Sequence, residues 1–182
     1  MNVFVLCTGR CGSLTFAKAC EHITNYTSGH ESKIHDAGYK RLNFPDNHIE
    51  IDNRLVWFLG RLHFIYSKDS FYVHLKRKDT EVANSFVKRL REDATIGIIS
   101  VYDKSIHLGQ RTLSSFALCL DFVNTVNCNI KFFLQDKPNC IDFNLETAKE
   151  DFVIFWRWIK AEGDLNAALK EWDTKYNVSL VI

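Results

Sequence analysis

The chain has 182 residues, 46% of them hydrophobic and 25% charged, which suits one domain with a substantial core and leaves too little chain for two. Its 23 Lys and Arg against 22 Asp and Glu give a formal net charge of +1, so no global field recruits nucleic acid or an anionic membrane, and any basic site must be local. No apolar run approaches a membrane span, and the N-terminal apolar run is only about six residues, too short for a signal peptide. The expectation is a single cytoplasmic domain over residues 1–182 with no nucleic-acid or membrane partner.

In chain order, Asn2 to Cys7 reads as a buried strand and Ser13 to Cys20 as the start of a helix. Ile23 to Gly29 reads as a weak second strand, followed by a polar segment from His30 to Asp46. Ile51, Leu55, Phe58, Leu59, Leu62, Ile65 and Tyr66 form one apolar stripe and predict a helix, whose exposed start carries His48, Glu50, Asp52 and Arg54. Glu50 and Arg54 sit at pairing distance on such a helix. Ser70 to Leu75 predicts a strand; Asp79 or Thr80 then caps a helix with Val82, Ala83, Phe86, Val87 and Leu90 on its apolar face. Asp93 to Gly109 fits an irregular lid or a short helix, and Arg111 to Val126 a buried helix. Asn129 to Leu134 reads as a fourth strand. Two amphipathic helices close the chain, striped by Ala148, Phe152, Phe155, Trp156 and Ile159, then by Leu165, Ala168, Leu169, Trp172 and Tyr176. Strands alternating with helices predict a three-layer α/β/α fold with a mainly parallel sheet, in which ligands bind at the carboxyl ends of strands.

Two such ends carry chemistry. Thr8-Gly9-Arg10-Cys11-Gly12-Ser13-Leu14-Thr15 joins the first strand to the first helix. A glycine-bearing turn at a helix N-terminus points unpaired N–H groups at an anion. The loop lacks the lysine that follows the second glycine of a triphosphate P-loop; its cation is Arg10, whose planar fork can grip two oxygens of a tetrahedral anion. At the second end, Lys76-Arg77-Lys78-Asp79 closes a strand and Ser85 lies in the helix that follows, an arginine fork and a hydroxyl donor for another phosphate. Lys88 and Arg89, three and four residues beyond Ser85, can assist it.

Gly-Arg-x-Gly-Ser at residues 9–13 resembles the 5′-phosphosulfate loop of sulfotransferases that use 3′-phosphoadenosine-5′-phosphosulfate (PAPS), and Arg77 with Ser85 resembles their 3′-phosphate motif. The resemblance covers roughly the first half of the chain. It implies a fold like that of P-loop nucleoside-triphosphate hydrolases and transfer of a sulfuryl group from PAPS, released as 3′,5′-adenosine bisphosphate, to a hydroxyl or amine of a small-molecule or glycan acceptor. It implies that Arg10, Cys11, Gly12, Ser13, Leu14 and Thr15 hold the phosphosulfate, and that Arg10 also stabilises the leaving group. Arg77 and Ser85 would hold the 3′-phosphate. In several branches of the family a glutamate near the end of the second strand is the base; Gly29-His30-Glu31-Ser32 is the matching stretch and Glu31 the choice, with His30 and His48 as the alternative solution. The chain departs from the family at Arg77-Lys78-Asp79, where Arg-Asp-Pro is usual, and lacks an Arg-Lys-Gly-type loop in its second half.

The rival enzyme is a P-loop kinase or nucleotide hydrolase, against which stand the missing lysine and the lack of an obvious strand-terminal aspartate for magnesium. A catalytically silent nucleotide-binding or interaction module is the rival from another class. A tyrosine-phosphatase loop is excluded, because Ser13 and Ala17 stand where Cys7 and Cys11 would need an arginine. His74 and the tryptophans Trp156, Trp158 and Trp172 read as core. The six cysteines, at 7, 11, 20, 119, 128 and 140, have no metal-ligand spacing; Cys7, Cys20 and Cys119 read as buried thiols, while Cys11 lies in the loop, where a helix N-terminus favours thiolate.

Overall fold

Val3–Cys7 (β1) is buried at every position, as a strand is when both faces of its sheet are covered. The computed structural model describes residues 1–66, 70–92, 97–109, 112–174 and 176. Thr27–His30 (β2), His48–Ile51 (β3), Phe71–Lys76 (β4) and Cys140–Asn144 (β5) complete a five-stranded sheet of order β2-β3-β1-β4-β5. All of its pairings are parallel. The described helices are Ser13–Cys20 (α1), Leu59–Tyr66 (α2), Asp79–Glu92 (α3), Ile98–Val101 (α4), Ser115–Leu134 (α5), Ala148–Trp158 (α6) and Leu165–Lys170 (α7). The chain is therefore α/β with a parallel sheet, consistent with three layers.

Each face of the sheet is sealed by aromatic packing. On one, Phe16 of α1 meets Phe143 of β5 edge-on at 5.0 Å, and Phe152 and Phe155 of α6 at 5.6 and 5.0 Å. On the other, Phe4 of β1 packs on Tyr66 at 4.6 Å and on Tyr72, which meets Phe133 of α5 at 5.3 Å. Phe4, Phe16, Tyr72, Phe143, Phe152 and Phe155 are wholly buried, and burying each such side chain stabilises the fold by about 1.5–3 kcal/mol. The carboxyl ends of β1 and β4 lie side by side, with Cys7 in register with Leu75. Thr8 and Lys76 thus leave the sheet from adjacent points.

Several elements differ from the sequence expectation. The long helix expected from Ile51 to Tyr66 is a strand (β3), a 3₁₀ turn over Asn53–Trp57 and then α2. His48, Ile49, Glu50 and Ile51 are all buried, because a parallel strand covered on both faces tolerates polar residues that carry their own partners. The strand expected over 129–134 is the last part of α5, where Ile130 and Leu134 continue the stripe of Phe122, Val123 and Val126. The fifth strand is instead Cys140–Asn144, an edge strand with only Phe143 fully buried, too short an apolar signal to read. β2 begins later than expected, and Ile23 makes only an isolated bridge to Gly163. Of the 93–109 segment, residues 93–96 lie outside the described set; α4 and a wide helical turn over Tyr102–Ile106 follow. Arg111, the expected start of a helix, also lies outside it, and α5 starts at Ser115.

Candidate functional site

The loop after β1 holds three residues in left-handed backbone conformation: Gly9 at φ +80°, Arg10 at +58° and Gly12 at +91°. Such alternation curls successive N–H groups into an anion-binding concavity. A non-glycine residue held there costs about 1–2 kcal/mol, so Arg10 is kept in place by its surroundings. Gly12 caps α1 without any side-chain cap. The first intrahelical bond runs from the Phe16 N–H to the Gly12 carbonyl at 2.9 Å, which leaves the N–H groups of Ser13, Leu14 and Thr15 facing outward at the positive end of the helix dipole. A side chain on Gly12 would place Cβ 2.6 Å from Leu145 Cδ1, on a backbone that L-residues rarely adopt. Cys11 is fully buried beneath the loop. Its sulfur faces Cys7, whose thiol is pushed well up by their shared hydrogen bond and by burial. Cys11 therefore offers a ligand its backbone and not its thiol.

The cations from the carboxyl ends of β1 and β4 meet over this loop. Arg10 Nε donates to Ser85 Oγ at 3.0 Å, a contact between residues 75 positions apart. Arg77 Nη1 donates to the Arg10 carbonyl at 3.4 Å, and Arg77 Nη2 lies 3.4 Å from Glu81 Oε2. Burial and then the charge of Arg89 lower the Arg10 pKa, with Arg77 adding to the effect and Glu92 opposing it; the group stays charged. Glu81, Asn84, Ser85 and Lys88 all line the same cleft, since residues at i, i+3, i+4 and i+7 share one face of a helix. Asn84 was not anticipated from sequence, although its helical spacing from Glu81 and Lys88 carried the signal.

The opposite wall is the carboxyl end of β2. Glu31 also has a positive φ, +53°, and its N–H donates to the Ile51 carbonyl at 3.0 Å. Its carboxylate Oε1 lies 2.9 Å from Arg54 Nη1. His30 Nε2 is 3.2 Å from Ser13 Oγ, so it stands beside the N-terminus of α1. Behind them Glu50 is wholly buried. It accepts from Ser32 N–H at 2.8 Å and from Ser32 Oγ at 2.6 Å, and its Oε2 lies 2.9 Å from His48 Nε2. That pairing puts a proton on Nε2 of His48, whose Nδ1 is 2.8 Å from Thr27 Oγ1 and whose ring stacks on Phe44.

This geometry corrects the expectation for His48. With 6% of its surface exposed, it belongs to a buried network under the wall and does not line the cleft. Glu50 is likewise inside rather than on an exposed helix start, and Asp52 is buried against Arg41. Arg54 pairs with Glu31 and not with Glu50. Arg10, Gly12, Ser13, Leu14, Thr15, His30, Glu31, Arg77 and Ser85 come together on one cleft of about 640 Å³, within the range of small-molecule sites.

Leu145, Trp172 and Tyr176 close the far side. Trp172 is core as expected, packed on Phe16, Phe143 and Phe152, yet it also reaches the cleft, with a buried Nε1 that has no hydrogen-bond partner. Leu145 was missed because the strand that delivers it was missed. No family model matches the chain, and no curated protein matches it. Among the described residues no helix is long and apolar enough to cross a membrane.

Proposed function

We propose that the chain is a sulfotransferase on a P-loop-like framework, using PAPS and releasing 3′,5′-adenosine bisphosphate, with a small-molecule or glycan hydroxyl or amine as acceptor. One observation carries the reading: hydrogen bonds from Arg10 to Ser85 and from Arg77 to Arg10 join two phosphate-type elements, 75 and 67 residues apart in sequence, over a single cleft. The donor set fits a ligand with two separated phosphates. Three outward N–H groups and the Arg10 fork suit the phosphosulfate end. Arg77 and Ser85, with Lys88 nearby, suit the 3′-phosphate. The Ser85 hydroxyl accepts from Arg10 Nε and retains its own proton to donate, so one side chain serves both ends.

Bound PAPS supplies an electrophilic sulfur and a phosphate leaving group. Arg10 and the α1 N-terminus neutralise charge on the leaving side, where positioning and electrostatics supply most of the rate. Glu31 receives the proton of the acceptor, and its place at the wall facing the loop supports that role. His30, at 3.2 Å from Ser13, is the other base within the cleft.

A second reading, a silent nucleotide-binding module, is favoured by the Glu31–Arg54 ion pair, which already engages one carboxylate oxygen. Calorimetry with 3′,5′-adenosine bisphosphate and with ATP plus magnesium tests the main reading. Binding of the bisphosphate in chelator, weakened about 10- to 100-fold by Arg77→Ala and less by Ser85→Ala, supports it. A preference for ATP with magnesium sinks it.

A further inference from the structure

We propose that Glu81 is a built-in competitor for the 3′-phosphate: its carboxylate occupies the Arg77 fork in the free protein and weakens binding of 3′-phosphorylated nucleotides alone. The inference rests on the assignment of Arg77 to that phosphate.

Both nitrogens of the Arg77 fork are engaged, Nη1 by the Arg10 carbonyl and Nη2 by Glu81 Oε2, each at 3.4 Å. The Glu81 side chain is 53% exposed and that of Arg77 30%, and both residues line the cleft. The Glu81 Oε2 at this point meets Arg77 Nη2 as a phosphate oxygen would. Acids in the first turn of a helix are common because the dipole favours them, but α3 has other groups for that purpose. Glu146 Oε1 accepts from the Lys78 N–H at 2.9 Å, and Asp79 Oδ1 accepts from Asn127 Nδ2 at 2.8 Å. Glu81 is left to face Arg77.

An incoming 3′-phosphate must displace this carboxylate and then bind near it. The exposed ion pair is weak, so the displacement is easy, but a residual like charge beside a phosphate dianion lowers affinity. A nucleotide without that phosphate leaves the pair alone. The consequence is kinetic. Substrate and product of the proposed reaction share the 3′-phosphate, so contacts made there bind both alike and do not speed the chemical step. Loosening that shared contact shortens the stay of the product.

Calorimetric titration of the wild-type protein, Glu81→Gln, Arg77→Ala and the double variant with 3′,5′-adenosine bisphosphate and with adenosine 5′-monophosphate tests the proposal. Glu81→Gln is expected to tighten the bisphosphate about fivefold and to leave the monophosphate within about twofold. In the Arg77→Ala background the same change is expected to gain less than about twofold. An unchanged bisphosphate affinity in Glu81→Gln, an equal gain for the monophosphate, or an undiminished gain without Arg77 overturns the proposal. Glu81→Gln protein that binds the bisphosphate no better than the monophosphate overturns the assignment of Arg77 itself, and the inference with it.

Discussion

Two walls face each other across the cleft and treat their charges differently. On the loop and α3 wall, Arg10 and Arg77 touch Ser85, a backbone carbonyl and Glu81 at 3.0–3.4 Å, and both residues line the cleft. On the β2 and β3 wall, Glu50 is wholly buried and meets Ser32 and His48 at 2.6–2.9 Å. The first wall turns its positive charge toward the cleft. The second directs its buried charge inward and uses it to hold the turn that presents His30 and Glu31. Close approach makes that turn specific: a Cβ on Gly29 would lie 2.9 Å from Glu50 Oε2.

The contrast separates binding from stability, and each side can be broken on its own. The largest effect is expected for Glu31→Gln, which should lower sulfuryl transfer from labelled PAPS about a thousandfold while bisphosphate binding stays intact; undiminished transfer would pass the role of base to His30. Arg10→Ala should weaken the bisphosphate about a hundredfold with little change in melting temperature. If melting falls and binding holds, the first wall is structural. Glu50→Gln should do the reverse. Loss of its charged contacts to Ser32 and His48 should destabilise the fold by about 2 kcal/mol, near 4–8 °C in Tm, with bisphosphate affinity retained. A variant of normal stability that no longer binds would erase the distinction between the walls.

The smallest effect lies outside both walls, at His74 of β4. It is 1% exposed, with Nε2 3.1 Å from Asn127 Oδ1 and Nδ1 3.7 Å from Asp142 Oδ1. Burial lowers its pKa from the usual 6.5, against the opposing pull of Asn127 and Asp142. The unfolded chain therefore takes up this proton at higher pH than the folded one. Stability from His74 is complete above 6.5 and is lost as pH falls through the folded value. Urea unfolding should show a smaller loss between neutral and mildly acid pH in His74→Gln than in the wild type. Equal losses would assign the pH dependence to other groups.

The first wall was legible in the sequence because its signals are local. An apolar strand, a glycine turn and a helix start place Arg10, and a strand end with a helical stripe places Arg77 and Ser85. The second wall was legible only at His30 and Glu31, and its buried support was not. The pairing of Gly29 with Glu50 and of His30 with Ile51 comes from parallel register between β2 and β3, which no local pattern announces. His48 and Glu50 looked like the solvated start of a helix because polar residues in a doubly covered strand break its apolar signature. The Arg54–Glu31 ion pair follows from that same register. α5 hid its last turns because Ile130, Phe132, Phe133 and Leu134 form a short apolar run, although Phe132 is exposed while Ile130 and Leu134 are buried on one helix face. Chemistry carried on one strand end was readable, whereas chemistry made by two strands together was not.

The claim that the cleft is a two-phosphate clamp is tested most directly by a crystal structure with 3′,5′-adenosine bisphosphate. The 5′-phosphate is expected on the N–H groups of Ser13, Leu14 and Thr15 with Arg10 against it, and the 3′-phosphate on Arg77 and Ser85. A bisphosphate bound with neither phosphate on those groups, or bound outside the cleft, would contradict the account.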